Sequence, residues 1–315
     1  MKSPDFLGNN LGGGERSPLQ PNCRHRTRRF AISIDSFAET EIGTHLADAA
    51  RRCRMVFFTG LPASGKSFLL RQQISISVSL GRGVHIMRWD TGLAAFQTED
   101  LLARYPDVSD GTHPLIRKAA GLWGRRALAR WLAENTDPTD MIVGEVPIIG
   151  NRFSEFIQAQ PDQIEPALAS EETTFIYPVP TKSLRANLEA IRRSTFANPK
   201  HPDEARDAPP STMELAWRLT CAKAAELGLI SEADSHSPYE EMIYVRFFEH
   251  LLQHRNSIRI GVDTIYSNAG SAHDLEASIL ELNASPDEVR CVVAEVEAAF
   301  NVEEATRDVE NWYRV

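Results

Sequence analysis

Residues 54–67 read RMVFFTGLPASGKS, and this stretch decides the fold. Met55 to Phe58 are four β-forming residues without a charge. Gly60 to Ser67 then spell G-x-x-x-x-G-K-S, the pattern of a phosphate-binding loop. The residues that follow, FLLRQQISISVSL, can continue as a helix, so the context is the strand, glycine loop and helix that the pattern requires. Gly60 and Gly65 permit backbone angles that a Cβ forbids. The loop can therefore curl with successive N–H groups pointing inward, an anion nest to which the following helix adds the positive end of its dipole. Lys66 brings a point charge to the β- and γ-phosphates, and the Ser67 hydroxyl offers a ligand to Mg²⁺. Gly60, Leu61, Pro62, Ala63, Ser64, Gly65, Lys66 and Ser67 are thus the expected nucleotide-binding residues, with Ser67 also the expected metal ligand.

Composition bounds the rest. The chain has 315 residues and a 42% hydrophobic fraction, ordinary for a globular protein. No run is long enough to span a membrane, and the N-terminus lacks the apolar core of a secretory signal. Cys23, Cys53, Cys221 and Cys291 are scattered without C-x-x-C spacing, which reads as buried thiols in a reducing cytoplasm. The net charge of −9 argues against a broad nucleic-acid surface. The charge is uneven. In residues 1–30, Lys2, Arg16, Arg24, Arg26, Arg28 and Arg29 outnumber Asp5 and Glu15 to give +4, which leaves −13 for the remainder.

Residues 1–28, rich in Gly, Asn, Pro and Arg, carry no apolar period and read as a disordered tail; 29–315 reads as one domain. A short strand is expected over Phe30–Ile34. A helix capped by the Ser36–Glu39 box should follow, through Ile42, Leu46 and Ala49. The second main strand is 84–89 (VHIMRW), ending in Asp90. Helical stretches are expected at 93–104 and 114–133, the latter with Trp123 and Trp131 as core residues. Met141–Val143 is the third strand, followed by Gly144 and Glu145. Thr173–Tyr177 is the fourth, closed by Pro178 and Pro180. The stretch 181–196 reads as a helix bearing Arg185, Arg192 and Arg193, and the polar, proline-rich 198–211 as an exposed loop. Together 181–211 form a lid candidate. Ser211, Ser237 and Ser285 each open a helix, and Ser257–Val262 is the fifth strand, ending in Asp263. Strands alternating with helices imply an α/β three-layer sandwich around a mainly parallel sheet.

Acids at strand ends face the ligand crevice of such a sheet. Asp90 is therefore a candidate to orient or deprotonate an acceptor hydroxyl, with a helix cap as the alternative. Glu145 could hold Mg²⁺ through water, polarise attacking water or bind substrate, and a structural hydrogen-bonding role is also open. Asp263 reads better as a cap. Arg192 is the candidate to stabilise charge on the transferring phosphoryl group, against a solvated helix face. Arg152 is a candidate to pair with an anionic substrate.

On GLPASGKS at 60–67, Asp90, the arginine-bearing 185–206 and VDT at 262–264, the chain resembles the small P-loop kinases, among them gluconate, adenylylsulfate and polynucleotide kinases and the zeta-toxin group. The resemblance implies a five-stranded parallel sheet in the order 2-3-1-4-5, a mobile lid, and an acid after strand two that contacts the acceptor, which maps to Asp90. The chain departs from that pattern: it has no D-x-D after strand two, and its GEVPIIGNRF segment matches no substrate motif. The expected activity is ATP- and Mg²⁺-dependent phosphoryl transfer to a small-molecule or nucleotide hydroxyl. An ATPase that drives a partner, and a nucleotide-gated binding protein, are the alternatives.

Overall fold

The structure, a computed structural model, describes residues 30–31, 37–108, 111–197, 210–267 and 279–315. The proposed tail, Ser36, and the loop from 198 to 209 lie outside these. Along the chain come β1 (Phe30–Ala31), α1 (Glu41–Arg52), β2 (Met55–Phe58), α2 (Lys66–Ser79), β3 (Gly83–Arg88), α3 (Trp89–Ala94), α4 (Glu99–Arg104), α5 (Pro114–Glu134), β4 (Asp140–Glu145), α6 (Glu165–Leu168), β5 (Thr173–Pro180), α7 (Lys182–Ala197), α8 (Pro210–Glu226), α9 (Glu241–Leu251), β6 (Ser257–Val262), β7 (Tyr266–Ser267), β8 (Leu280–Glu281), α10 (Pro286–Ala299) and α11 (Val302–Glu310).

Six strands form one sheet in the order β6-β5-β2-β4-β3-β8, and every neighbouring pair is parallel. The uncharged β2 lies inside the sheet between β4 and β5, with all four residues buried. Alternation along the strands sends side chains to two cores. Val56, Phe58, Ile86, Met141, Val143 and Ile176 meet α1 and α2 on one face. Met55, Phe57, Met87, Ile142 and Phe175 meet α5, α8, α9 and α10 on the other. A parallel sheet covered on both faces is the reason its strands read as apolar runs and not as alternating ones. No helix among the described residues is long and apolar enough to cross a membrane.

Five expectations need correction. The sheet has a sixth strand, β8, which pairs with His85 and Ile86 at the edge. Pro178 and Pro180 do not close β5 but belong to it, paired with Ile260 and Val262. The reason is the direction of the ladder. Phe175 and Thr181 donate their N–H groups toward the β6 side, so the even positions face β2, which has ended at Phe58. A proline there forfeits no hydrogen bond. Ser211 lies inside α8 and does not cap it. Ser237 does not open α9 either; that helix begins at Glu241. Packing overrides the capping signal, because the buried Tyr239 donates its hydroxyl to the Pro180 carbonyl and Trp217 Nε1 donates to the Ser237 carbonyl. The Ser285 capping box is formed as read. Of the described cysteines Cys53 and Cys221 are buried and Cys291 is exposed, which corrects the reading of all of them as buried.

Candidate functional site at the strand ends

The glycine loop leaves the carboxyl end of β2 and enters α2 with Gly65 as its N-cap. The curl is made by three positive φ values, +137° at Gly60, +56° at Ala63 and +99° at Gly65. Gly60 is required twice. Its φ excludes L side chains, and a Cβ there would lie 2.5 Å from Tyr244 Oη. That hydroxyl, fully buried on α9, accepts the Leu61 N–H at 3.4 Å. Burial holds the Tyr244 phenol far above its ordinary range, so it remains a neutral group under the loop.

Lys66 is buried, and its ammonium donates to the Leu61 carbonyl at 2.8 Å. Glu145 Oε1 lies 3.7 Å from the same nitrogen, and Ser67 Oγ donates to Glu145 Oε2 at 3.0 Å. Glu145 reaches this place because it ends β4 in register with Phe58, the last residue of β2. Burial lowers the Lys66 pKa; Glu145 and Asp90 oppose that shift, while Arg185 and Arg152 add to it. Five charged side chains therefore converge at the carboxyl ends of β2, β3, β4 and β5.

Asp90 is exposed, in the first turn of α3 directly after β3. It is not the helix cap, which is Arg88. Arg88 makes two 2.7 Å hydrogen bonds to Glu281 of β8. Asp90 influences Lys66, Arg88 and Arg152. Arg152 sits half-buried in the turn after β4. Asp263 is exposed beyond β6 and accepts the Thr264 hydroxyl.

Arg185 of α7 touches the loop. Its guanidinium donates to the Pro62 carbonyl at 2.5 Å and to Glu189 at 2.8 Å, and lies 5.6 Å from the Tyr239 ring centre. The side chain is 2% exposed, and Nη2 is buried without a hydrogen bond. Arg192 lies seven residues, about 10 Å, further along the helix; Arg193 is 3.6 Å from Glu189. Arg185 was findable by the rule that singled out Asp90 and Glu145, since it stands in the first turn after β5. Tyr244 carried no local signal, being 183 residues from Leu61.

No protein-family model, no curated protein and no solved structure matches the chain.

Proposed function

We propose that the chain is an ATP-dependent phosphotransferase acting on a hydroxyl of a small molecule or nucleotide, with residues 60–67 as its phosphate-binding P-loop. The observation that carries this reading is the convergence of Lys66, Ser67 and Glu145 under a loop whose φ values match the anion-nest requirement. The Ser67 hydroxyl and the Glu145 carboxylate are hard oxygen donors 3.0 Å apart, a set that suits Mg²⁺. Among the described residues no group of three or more His, Cys, Asp or Glu side chains is placed to hold a metal. Phosphate oxygens and water would complete the shell, as is usual for this ion. When bound, Mg²⁺ neutralises charge on the β- and γ-phosphates.

In the proposed step the acceptor oxygen attacks the γ-phosphorus, and the bond to the β–γ bridging oxygen breaks. ADP leaves with that electron pair, and the acceptor proton passes to the Asp90 carboxylate. Lys66 exchanges the Leu61 carbonyl for phosphate oxygens. Arg185 holds Pro62 and so fixes the rim of the loop. The five-strand core order and the lid role of α7 belong to the same reading.

A second reading, ATP hydrolysis coupled to a partner, is favoured by one observation. Glu145 stands against both Lys66 and Ser67, where a carboxylate can orient water. Two variants decide between them in one assay. With transfer to a hydroxyl, Asp90→Asn lowers acceptor-dependent ADP release by about 10²–10⁴-fold and Glu145→Gln by less. With hydrolysis the order reverses and ADP release needs no acceptor. Full transfer activity in Asp90→Asn removes that residue from the mechanism.

A further inference from the structure

The turn after β4 spends backbone strain to display one charge. Ile148, Asn151 and Phe153 have φ of +57°, +57° and +61°, and Gly150 has +72°, so four of six consecutive residues are left-handed. Asn and Gly tolerate this region, but a β-branched isoleucine there is a genuine outlier. Such residues cost on the order of 1–3 kcal/mol each and persist where the surroundings over-determine them. Here they do. Ile148 donates its N–H to the Arg152 carbonyl at 2.8 Å, Ser154 donates its hydroxyl to Asn151 Oδ1, and Phe153 stacks on Phe156 with ring centres 4.7 Å apart. Ile148, Ile149, Asn151 and Phe153 are buried, which leaves Gly150 and Arg152 as the residues of the turn that reach solvent.

The half-buried Arg152 differs from four other arginines of the structure. Arg88 is answered by Glu281, Arg125 by Asp162 and Glu165, Arg255 by Glu165, and Arg185 by Glu189. The Arg152 guanidinium makes no hydrogen bond or ion pair with any described residue. Desolvation lowers its pKa, offset in part by the Asp90 charge. A cation withdrawn from water without a counter-ion is unfavourable until an anion reaches it. Its position points to which anion. Arg152 follows β4 and Asp90 follows β3 at the same carboxyl end of the parallel sheet from which the glycine loop leaves β2, and both charges act on the Lys66 ammonium.

We infer that the phosphoryl acceptor is itself an anion, a hydroxyl compound bearing a phosphate or a carboxylate, and that Arg152, presented by the strained turn 148–153, binds its charge. The inference rests on the phosphotransferase reading for the word acceptor. A guanidinium fork suits either anion in a two-point contact, and Asp90 orients the hydroxyl at the other end of the molecule.

Calorimetric titration tests it with the glycine loop filled by a non-hydrolysable ATP analogue. The probes are ribose 5-phosphate against ribose, and gluconate against sorbitol. Binding of at least one anionic probe 10-fold or more tighter than its neutral partner is the expected result, and the pair that discriminates identifies phosphate or carboxylate. Arg152→Met should erase that preference, and Arg152→Lys, which keeps the charge but loses the fork, should retain part of it. Arg152→Gln carries the same test if the Met variant does not fold. Equal binding within both pairs, no binding of any probe, or a preference that survives Arg152→Met overturns the inference. Failure of the analogue to bind overturns the phosphotransferase reading instead. In that event inorganic phosphate, titrated into Lys66→Ala with and without Arg152→Met, still decides whether Arg152 holds an anion.

Discussion

Replacing Gly60 with alanine separates two demands that the structure makes at one atom. The first is conformational: φ of +137° is closed to an L side chain, at a cost on the order of 1–3 kcal/mol. The second is steric: the new Cβ would sit 2.5 Å from Tyr244 Oη and 3.1 Å from Ser64 Oγ, an overlap worth roughly 1–3 kcal/mol in a packed interior. Gly60→Ala should therefore lose about 2–6 kcal/mol. Tyr244→Phe alone removes the acceptor of the buried Leu61 N–H and should lose about 1 kcal/mol. In the double variant the overlap with Tyr244 disappears but the Ser64 contact and the backbone demand stay, so the two losses should fall short of additivity by about 1–2 kcal/mol. Urea unfolding followed by fluorescence of the five tryptophans measures all four corners of the cycle. A Gly60→Ala loss under about 0.5 kcal/mol would refute the account of the loop. Strict additivity would show that Tyr244 does not support it.

Lys66→Ala should fold but fail to retain a triphosphate analogue in equilibrium binding, because its ammonium is the loop's own side-chain cation. Arg185→Met should weaken both analogue binding and thermal stability, since it removes the hydrogen bonds to Pro62 and Glu189; unchanged binding would show that Arg185 only packs. Burial raises the Glu155 carboxyl above its ordinary 4.5, with Lys118 at 3.4 Å opposing the shift. The folded chain thus holds that proton more tightly than the unfolded one. The advantage is complete below the unfolded value and disappears as pH rises through the folded one, so wild type should lose ground to Glu155→Gln in denaturation series run upward from about pH 4.5. Burial also pushes the Cys53 and Cys221 thiols up to about 11, so a thiol reagent at neutral pH should label Cys291 in the native protein and spare those two.

The parts of the chain that were legible are those whose cause is local. Met55 to Phe58 read as a buried strand because both faces of β2 are covered, so no polar residue interrupts the run. Gly60 and Gly65 read as loop glycines, and both have the positive φ that reading requires. Ser285 read as a cap because its partner Glu288 is three residues away. The same cue misled at Ser237, where the decisive force is burial of Tyr239 against β5 and not hydrogen bonding within the first turn. It misled again at Pro178 and Pro180: a proline closes a strand only if its missing N–H faces a neighbour, and β2 stops too early to be one.

What the candidate site adds to that local reading is mostly long-range, and Arg185 shows how. Seen along the chain, Arg185, Arg192 and Arg193 are three cations on one helix, ranked only by Arg185's place in the first turn after β5. Seen across the sheet, β5 delivers Arg185 to the level of Pro62, because β5 runs beside β2 and outlasts it by four residues at the carboxyl end. Tyr239 and Tyr244 then back the loop from the α9 side, 5.6 Å from the Arg185 guanidinium and within hydrogen-bond reach of Leu61 respectively. The lateral positions of β5 and α9, and not the spacing of residues along α7, select the arginine. Moving Arg185 one turn along the helix, as in Arg185→Ala with Glu189→Arg, should therefore fail to restore analogue binding. Restoration would mean that charge near the loop suffices and that the contact with Pro62 is incidental.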